Sequence, residues 1–143
     1  MKIIVFLIIT ILSLNAQSIK NKNFGSTTIS EIINIYDGDT FRANIKDYPD
    51  IIGYHISIRI NGIDTPELRG KCIKEKQLAR KAKQTTVQLL RTAKIIKLHN
   101  MKRGKYFRII ADVEIDGKSL SKILLDKQLA VPYNGGTKIN WCK

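Results

Sequence analysis

Residues 55 to 67 spell out a half-buried strand and then forbid its continuation. Ile56, Ile58 and Ile60 alternate with His55, Ser57 and Arg59. That period of two sends one set of side chains to a core and the other to a polar face. Asn61-Gly62 turns the chain, and Pro66, lacking an N–H, cannot carry a ladder onward. Asp64, Thr65 and Glu67 therefore belong to irregular chain at the rim of a sheet, just past an arginine on the strand's polar face.

The rest of the chain supplies the partners such a strand needs. Residues 29 to 36 are rich in isoleucine and read as a first strand, and Asp37-Gly38-Asp39 is a turn signal. Phe41, Ala43 and Ile45 then alternate with Arg42, Asn44 and Lys46, while residues 46 to 52 read as a loop. Residues 71 to 93 form a helix, with Leu78, Ala82, Thr85 or Thr86, Leu89 and Ala93 recurring at helical spacing. Residues 95 to 98 and 107 to 115 are two further strands, joined by the basic Lys102-Arg103-Gly104-Lys105. In the second of them Ile109, Ala111, Val113 and Ile115 face inward, while Arg108, Asp112 and Glu114 face out. Residues 119 to 128 make a short helix with Leu120, Ile123 and Leu124 inward. Five short strands with a helix after the third is the order of an oligonucleotide-binding (OB) barrel. The expected class is α+β, mainly β: a five-stranded barrel with one long inserted helix and a short second one. The tail after residue 132 is turn-rich and would be loose unless Cys142 ties it down.

Charge narrows the partner. With 25 Lys and Arg against 12 Asp and Glu, the net charge of +13 calls for a polyanion, nucleic acid first and an anionic surface second. Fourteen of the basic residues lie between positions 69 and 108, where Glu75 is the only acid. The remaining acids are segregated into a few turns.

Residues 1 to 16 read as a secretory signal. Lys2 is followed by an apolar run from 3 to 14 that is shorter than the roughly 20 residues a bilayer requires, and Ala16 ends the segment. Residues 17 to 28 read as a flexible linker and 29 to 143 as the folded domain. The expectation is a secreted or periplasmic monomer without stable membrane association after cleavage; the alternative is a chain tethered by an uncleaved signal. Export also makes Cys72 and Cys142 a candidate disulfide. Closing a loop of about 70 residues is worth on the order of 4 kcal/mol in the chain-entropy account.

Two acidic turns, Asp37 with Asp39 and Asp64 with Glu67, come from different strand ends that a small barrel can bring to one rim. Oxygen donors without histidine or thiolate select calcium, magnesium or manganese rather than zinc. Solvated turn acids are the competing explanation. Arg59 and Arg108 each sit on a polar strand face and can present a bidentate fork to phosphate. A hard dication beside two arginines is a coherent phosphodiester site.

Asp37-Gly38-Asp39-Thr40, then Arg59 with Ile63-Asp64-Thr65-Pro66-Glu67, then Lys105-Tyr106-Phe107-Arg108 resemble, in order and spacing, the three motifs of the staphylococcal nuclease (thermonuclease) family. The resemblance spans residues 29 to 130. It implies that Asp39, Asp64 and the Thr65 carbonyl ligate Ca2+, and that Glu67 orients or deprotonates the attacking water. It also implies that Arg59 and Arg108 clamp the scissile phosphate, and that Lys105 and Tyr106 contact a neighbouring one. Tyr133 lies near the family's base-stacking tyrosines but out of register, and Asp37 is expected to shape its turn. The implied activity is hydrolysis of single- or double-stranded DNA and RNA at the bond to the 5′ oxygen, leaving 3′-phosphate ends. Phe107 and Gln128 stand where that family carries glycine, and the family's long C-terminal helix is absent or reduced. His55 and His99 have no partner at catalytic spacing and read as structural. A non-catalytic, basic nucleic-acid-binding barrel is the alternative from a different functional class.

Overall fold

The computed structural model describes residues 22–143; the expected signal and residues 17 to 21 of the expected linker lie outside the described residues. Strand β1 (Thr27–Ile35) runs into the turn at 36 to 39 and returns antiparallel as β2 (Thr40–Ile45), with Ile35 opposite Phe41. The expected loop contains a single helical turn, α1 (Asp50–Gly53). β3 (Ile56–Ile60) follows, antiparallel to β2, with Thr40 opposite Arg59. His55, expected in this strand, sits just before it with φ 49 and stacks on Tyr54. Past the Gly62 turn come the two-residue β4 (Ile63–Asp64), then the long helix α2 (Ile73–Thr92). β5 (Ile96–Arg103) and β6 (Ile109–Ile115) form an antiparallel pair, followed by β7 (Lys118–Ser119), α3 (Leu120–Asp126) and β8 (Val131–Pro132).

Two pairings close the sheet. β1 bonds β5 at Thr27 and Thr28, and β3 bonds β6 in parallel, with Arg59 opposite Ile110. The result is a closed five-stranded mixed barrel with three helices, one of them long, as the strand count and order predict. The inward sets of the alternating strands fill it: Phe41, Ala43, Ile58, Leu98 and Ala111 are wholly buried. Leu120 and Leu124 of α3 seal one end.

Two local expectations need correction. β5 extends five residues beyond 98, because a bulge between His99 and Lys102, with Asn100 in the left-handed region at φ 51, breaks its alternation. Lys102 and Arg103 are thus strand residues, and Met101 is core. The buried stripe of α2 is Glu75, Ala79, Ala82, Thr86 and Leu90, with Leu78, Leu89 and Ala93 half-buried at its margin. The helix stops without a glycine; instead the Asp116 carboxylate accepts the N–H groups of Lys94 and Ile95. Those backbone bonds, Ile95's first, hold Asp116 below the usual carboxylate range. Finally, the two departures from glycine fall on left-handed backbone, Phe107 at φ 55 and Gln128 at φ 56. Each carries a strain of about 1 kcal/mol that glycine would not.

Candidate active site

The Asp37-Gly38-Asp39 turn owes its shape to close packing on α2. A Cβ on Gly38 would lie 2.8 Å from Thr65 Cγ2 and 2.9 Å from Ala82 Cβ, so only glycine fits. The Thr86 hydroxyl donates to the Gly38 carbonyl at 2.8 Å, and the Asp39 N–H donates to Asp37 Oδ1 at 3.2 Å. Asp37 thus fixes the turn, as expected, and Asp39 is pushed inward to 2% exposure. The small residues of the helix's buried face are what allow this approach.

β4 brings the second acidic turn alongside. Asp64 is 1% exposed and Thr65 2%. The Thr65 N–H donates to Asp39 Oδ2 at 3.0 Å, so the two turns are tied through backbone as well as charge. Arg59 stands between the carboxylates: Nη1 donates to Asp39 Oδ1 at 2.5 Å and Nη2 to Asp64 Oδ1 at 3.1 Å. The same Nη2 reaches the Ile63 carbonyl at 3.2 Å. Register explains this placement, since Arg59 opposes Thr40 on β2 and precedes β4 by one tight turn.

Glu67 lies further out. Its loop is held by Glu75, a buried carboxylate that accepts N–H groups from Lys71 (2.9 Å) and Glu67 (3.4 Å). Gly70 makes room for it, because a Cβ there would fall 2.4 Å from Glu75 Cδ. Lys138 Nζ donates to Glu67 Oε1 at 2.5 Å and to Asp64 Oδ1 at 2.9 Å. Partial burial pulls this ammonium down, but the bonds to Glu67 and Asp64 outweigh it and push it up to about 12.

From Arg59 a cleft of about 670 Å³ runs past Lys102, Lys105, Arg108, Ile110 and Tyr133 to Gly135 and Gly136. Arg108 makes no ion pair among the described residues, and its Nε is buried without a partner. Tyr133 enters through the β4–β8 pairing, its N–H bonded to the Gly62 carbonyl and its ring 6.0 Å from the Arg59 guanidinium. Tyr106 is not part of the lining; with φ 57 and 91% exposure it projects into solvent. Asp39, Asp64, Thr65, Arg59 and Glu67 are brought together, with Lys105, Arg108 and Tyr133 along the adjoining cleft. The cleft's own lining holds no carboxylate; it meets the acidic turns through Arg59, which lines it and bonds Asp39 and Asp64.

The donor set suits a hard cation. Asp64 Oδ2 is buried and has no hydrogen-bond partner among the described residues, an oxygen that a cation would satisfy. Among the described residues, three His, Cys, Asp or Glu side chains bring ligand atoms within 4.8 Å of one another only at Cys72, Glu75 and Cys142, away from the acidic turns, and there the two sulfurs are bonded together and offer no thiolate. That disulfide, expected from the cysteine count, places Cys72 as the N-cap of α2.

Asp37 carries a pH signature. Burial, and next the charge of Asp39, push it up to about 7 from 3.8. A raised carboxyl favours the fold while protonated and withdraws that support as pH climbs from about 4 through about 7. In chelator, Asp37→Asn is therefore expected to match wild type near pH 4 and to exceed it at pH 8, by at most a few kcal/mol in urea unfolding. A variant less stable at pH 8 would contradict this.

Sequence reasoning missed Glu75 and Lys138. Glu75 had left a signal, as the only acid in the basic stretch from 69 to 108. Lys138 left none, because its place depends on a pairing 70 residues long. Residues 57–140, more than half of the chain, match the family described as staphylococcal nuclease homologue. No curated protein matches the chain.

Proposed function

Because the chain belongs to the family of staphylococcal nuclease homologues, a nuclease family, we propose that it is an exported, calcium-dependent hydrolase of DNA and RNA that leaves 3′-phosphate ends. One observation carries the reading: two buried carboxylates share Arg59 at the mouth of a basic cleft in which Arg108 has no carboxylate partner among the described residues. An oxygen-only donor set leaves calcium, magnesium and manganese open, and the family resemblance is what selects calcium among them.

Asp39, Asp64 and the Thr65 carbonyl would hold the cation, which supplies Lewis-acid polarisation of the phosphate when bound. Glu67 accepts a proton from the attacking water, which forms the new bond to phosphorus as the bond to the 5′ oxygen breaks. Arg108 pairs its fork with the non-bridging oxygens as charge accumulates there, and Arg59 adds a second guanidinium at the acidic end. Lys105 takes the neighbouring phosphate, with Tyr106 swinging beside it from its exposed turn. Tyr133 offers a ring for a base to stack upon. A signal in residues 1 to 16 would deliver the chain to an oxidising compartment, a destination that the Cys72–Cys142 disulfide supports. The domain would work as a monomer.

Binding without cleavage is the second reading, and one observation favours it: Arg59 and Lys138 already neutralise much of the acid cluster. Hydrolysis of DNA and RNA in calcium, in magnesium and in chelator separates the two. Calcium is expected to support cleavage and chelator to abolish it, while Glu67→Gln is expected to lose about 10²- to 10⁴-fold in rate. Tight, salt-sensitive binding with no turnover in any divalent ion would establish the alternative. Undiminished cleavage in chelator would remove the metal from the mechanism.

A further inference from the structure

The proposed hydrolysis makes no use of Lys138, yet the fold drives its ammonium into the acid cluster. The segment that delivers it is anchored at both ends. At one end the Tyr133 N–H bonds the Gly62 carbonyl at 2.8 Å, and the Tyr133 hydroxyl donates to the Gly136 carbonyl at 2.9 Å. Gly135 and Gly136 take left-handed backbone, φ 95 and 88, which turns the chain back toward β4. At the other end Cys142 is bonded to Cys72 at the N-terminus of α2, and Lys74 Nζ donates to the Lys143 carbonyl at 2.6 Å. Lys138 lies midway along this strap. Its contacts are unequal in kind: Asp64 is buried at 1% side-chain exposure, whereas Glu67, at 49%, has water available in its place. Lys138 itself is 44% exposed, so its side chain reaches from the surface to the buried member of the cluster.

We propose that Lys138 is a built-in counter-ion of the acid cluster, competing with a divalent cation for Asp64 while masking the Glu67 base, so that the disulfide-held strap sets the metal affinity. The inference rests on the reading of Asp64 as a metal ligand. A dication sharing the Asp64 carboxylate must either displace the ammonium or accept it as a neighbour, and both weaken binding. Even at the dielectric constant of bulk water, a double and a single positive charge a few ångströms apart repel enough to change affinity about tenfold. With Lys138 in place, Asp64 and Glu67 are charge-compensated, and Glu67 becomes available as a base when the strap yields to the cation.

Calorimetric titration of the mature protein with calcium chloride, without nucleic acid, tests this. Lys138→Met is expected to bind calcium about tenfold more tightly than wild type or better, and Lys138→Arg, which keeps the charge, to stay within about twofold. Thermal melts in chelator supply a second reading. Lys138→Met should unfold at a lower temperature than wild type, since Asp64 and Glu67 lose their counter-ion, and calcium should close that gap. Releasing the strap with Cys72→Ser and Cys142→Ser together should shift calcium affinity in the direction of Lys138→Met. Equal or weaker calcium binding by Lys138→Met overturns the proposal, as does Lys138→Arg behaving like the methionine variant. DNA cleavage accompanied by unchanged calcium affinity would leave the hydrolase standing and remove the counter-ion. A tenfold affinity shift in a protein that cleaves nothing would do the reverse.

Discussion

Lysine in place of Arg108 is expected to lower DNA hydrolysis by at least about two orders of magnitude while leaving unfolding within about 0.5 kcal/mol of wild type. The two halves of this prediction have one structural source. Arg108 makes no ion pair among the described residues, and its Nε is buried without a hydrogen-bond partner. The fold therefore gains little from its guanidinium, and the neighbouring backbone bond from the Gly104 N–H to the Arg108 carbonyl survives the substitution. Arg59, by contrast, already spends its fork on Asp39 and Asp64. If two guanidinium groups meet a phosphate in this cleft, Arg108 is the one that arrives uncommitted. A lysine keeps the charge but cannot form two parallel bonds, so turnover falls while stability does not. Steady-state cleavage and urea unfolding of the same preparation decide it. A large loss of stability would mean that Arg108 is structural, and near-wild-type turnover would mean that charge alone suffices.

The barrel was legible because its information is local. Alternation in β2, β3 and β6 gives the inward face of each strand, and the Asn61-Gly62 turn with Pro66 fixes where β3 ends. β5 was read five residues short because the bulge at Asn100 moves the next core residue from position 100 to Met101. A period-two reading has no means of anticipating a left-handed residue within a strand. The face of α2 was read about one position out for a related reason. Its buried stripe includes Glu75, which a hydrophobic pattern discards but which packs inward because the N–H groups of Lys71 and Glu67 both donate to it.

The candidate site was legible in part and along the same division. Asp39, Asp64, Glu67 and Arg59 lie in two short stretches whose turn chemistry could be read, and they do meet. Gly38 shows why the first stretch must be what it is: its Cβ would collide with Thr65 and with the helix, contacts that no local pattern announces. Lys138 was out of reach altogether. Its position follows from the disulfide, the β4–β8 pairing and two left-handed glycines acting together.

The commitment of Arg59 to two buried carboxylates carries the other large expected effect. Arg59→Met in chelator should destabilise the protein by about 3–5 kcal/mol, because breaking a buried ion pair strands the charge left behind. Against a total stability of roughly 5–15 kcal/mol that is a severe loss. The remaining contacts limit the damage unequally. Asp64 Oδ1 keeps Lys138, whereas Asp39 keeps only the Thr40 hydroxyl at 2.8 Å and the Thr65 N–H at 3.0 Å, which supply no compensating charge. Most of the cost should therefore reside on Asp39, and neutralising that residue should recover it. The double variant Arg59→Met with Asp39→Asn is expected to be more stable than Arg59→Met alone, a non-additivity that a double-mutant cycle reads directly. If the double variant is instead less stable, by the sum of the two single losses, Arg59 is acting through packing of its stem and not as the cation that holds the two acidic turns together.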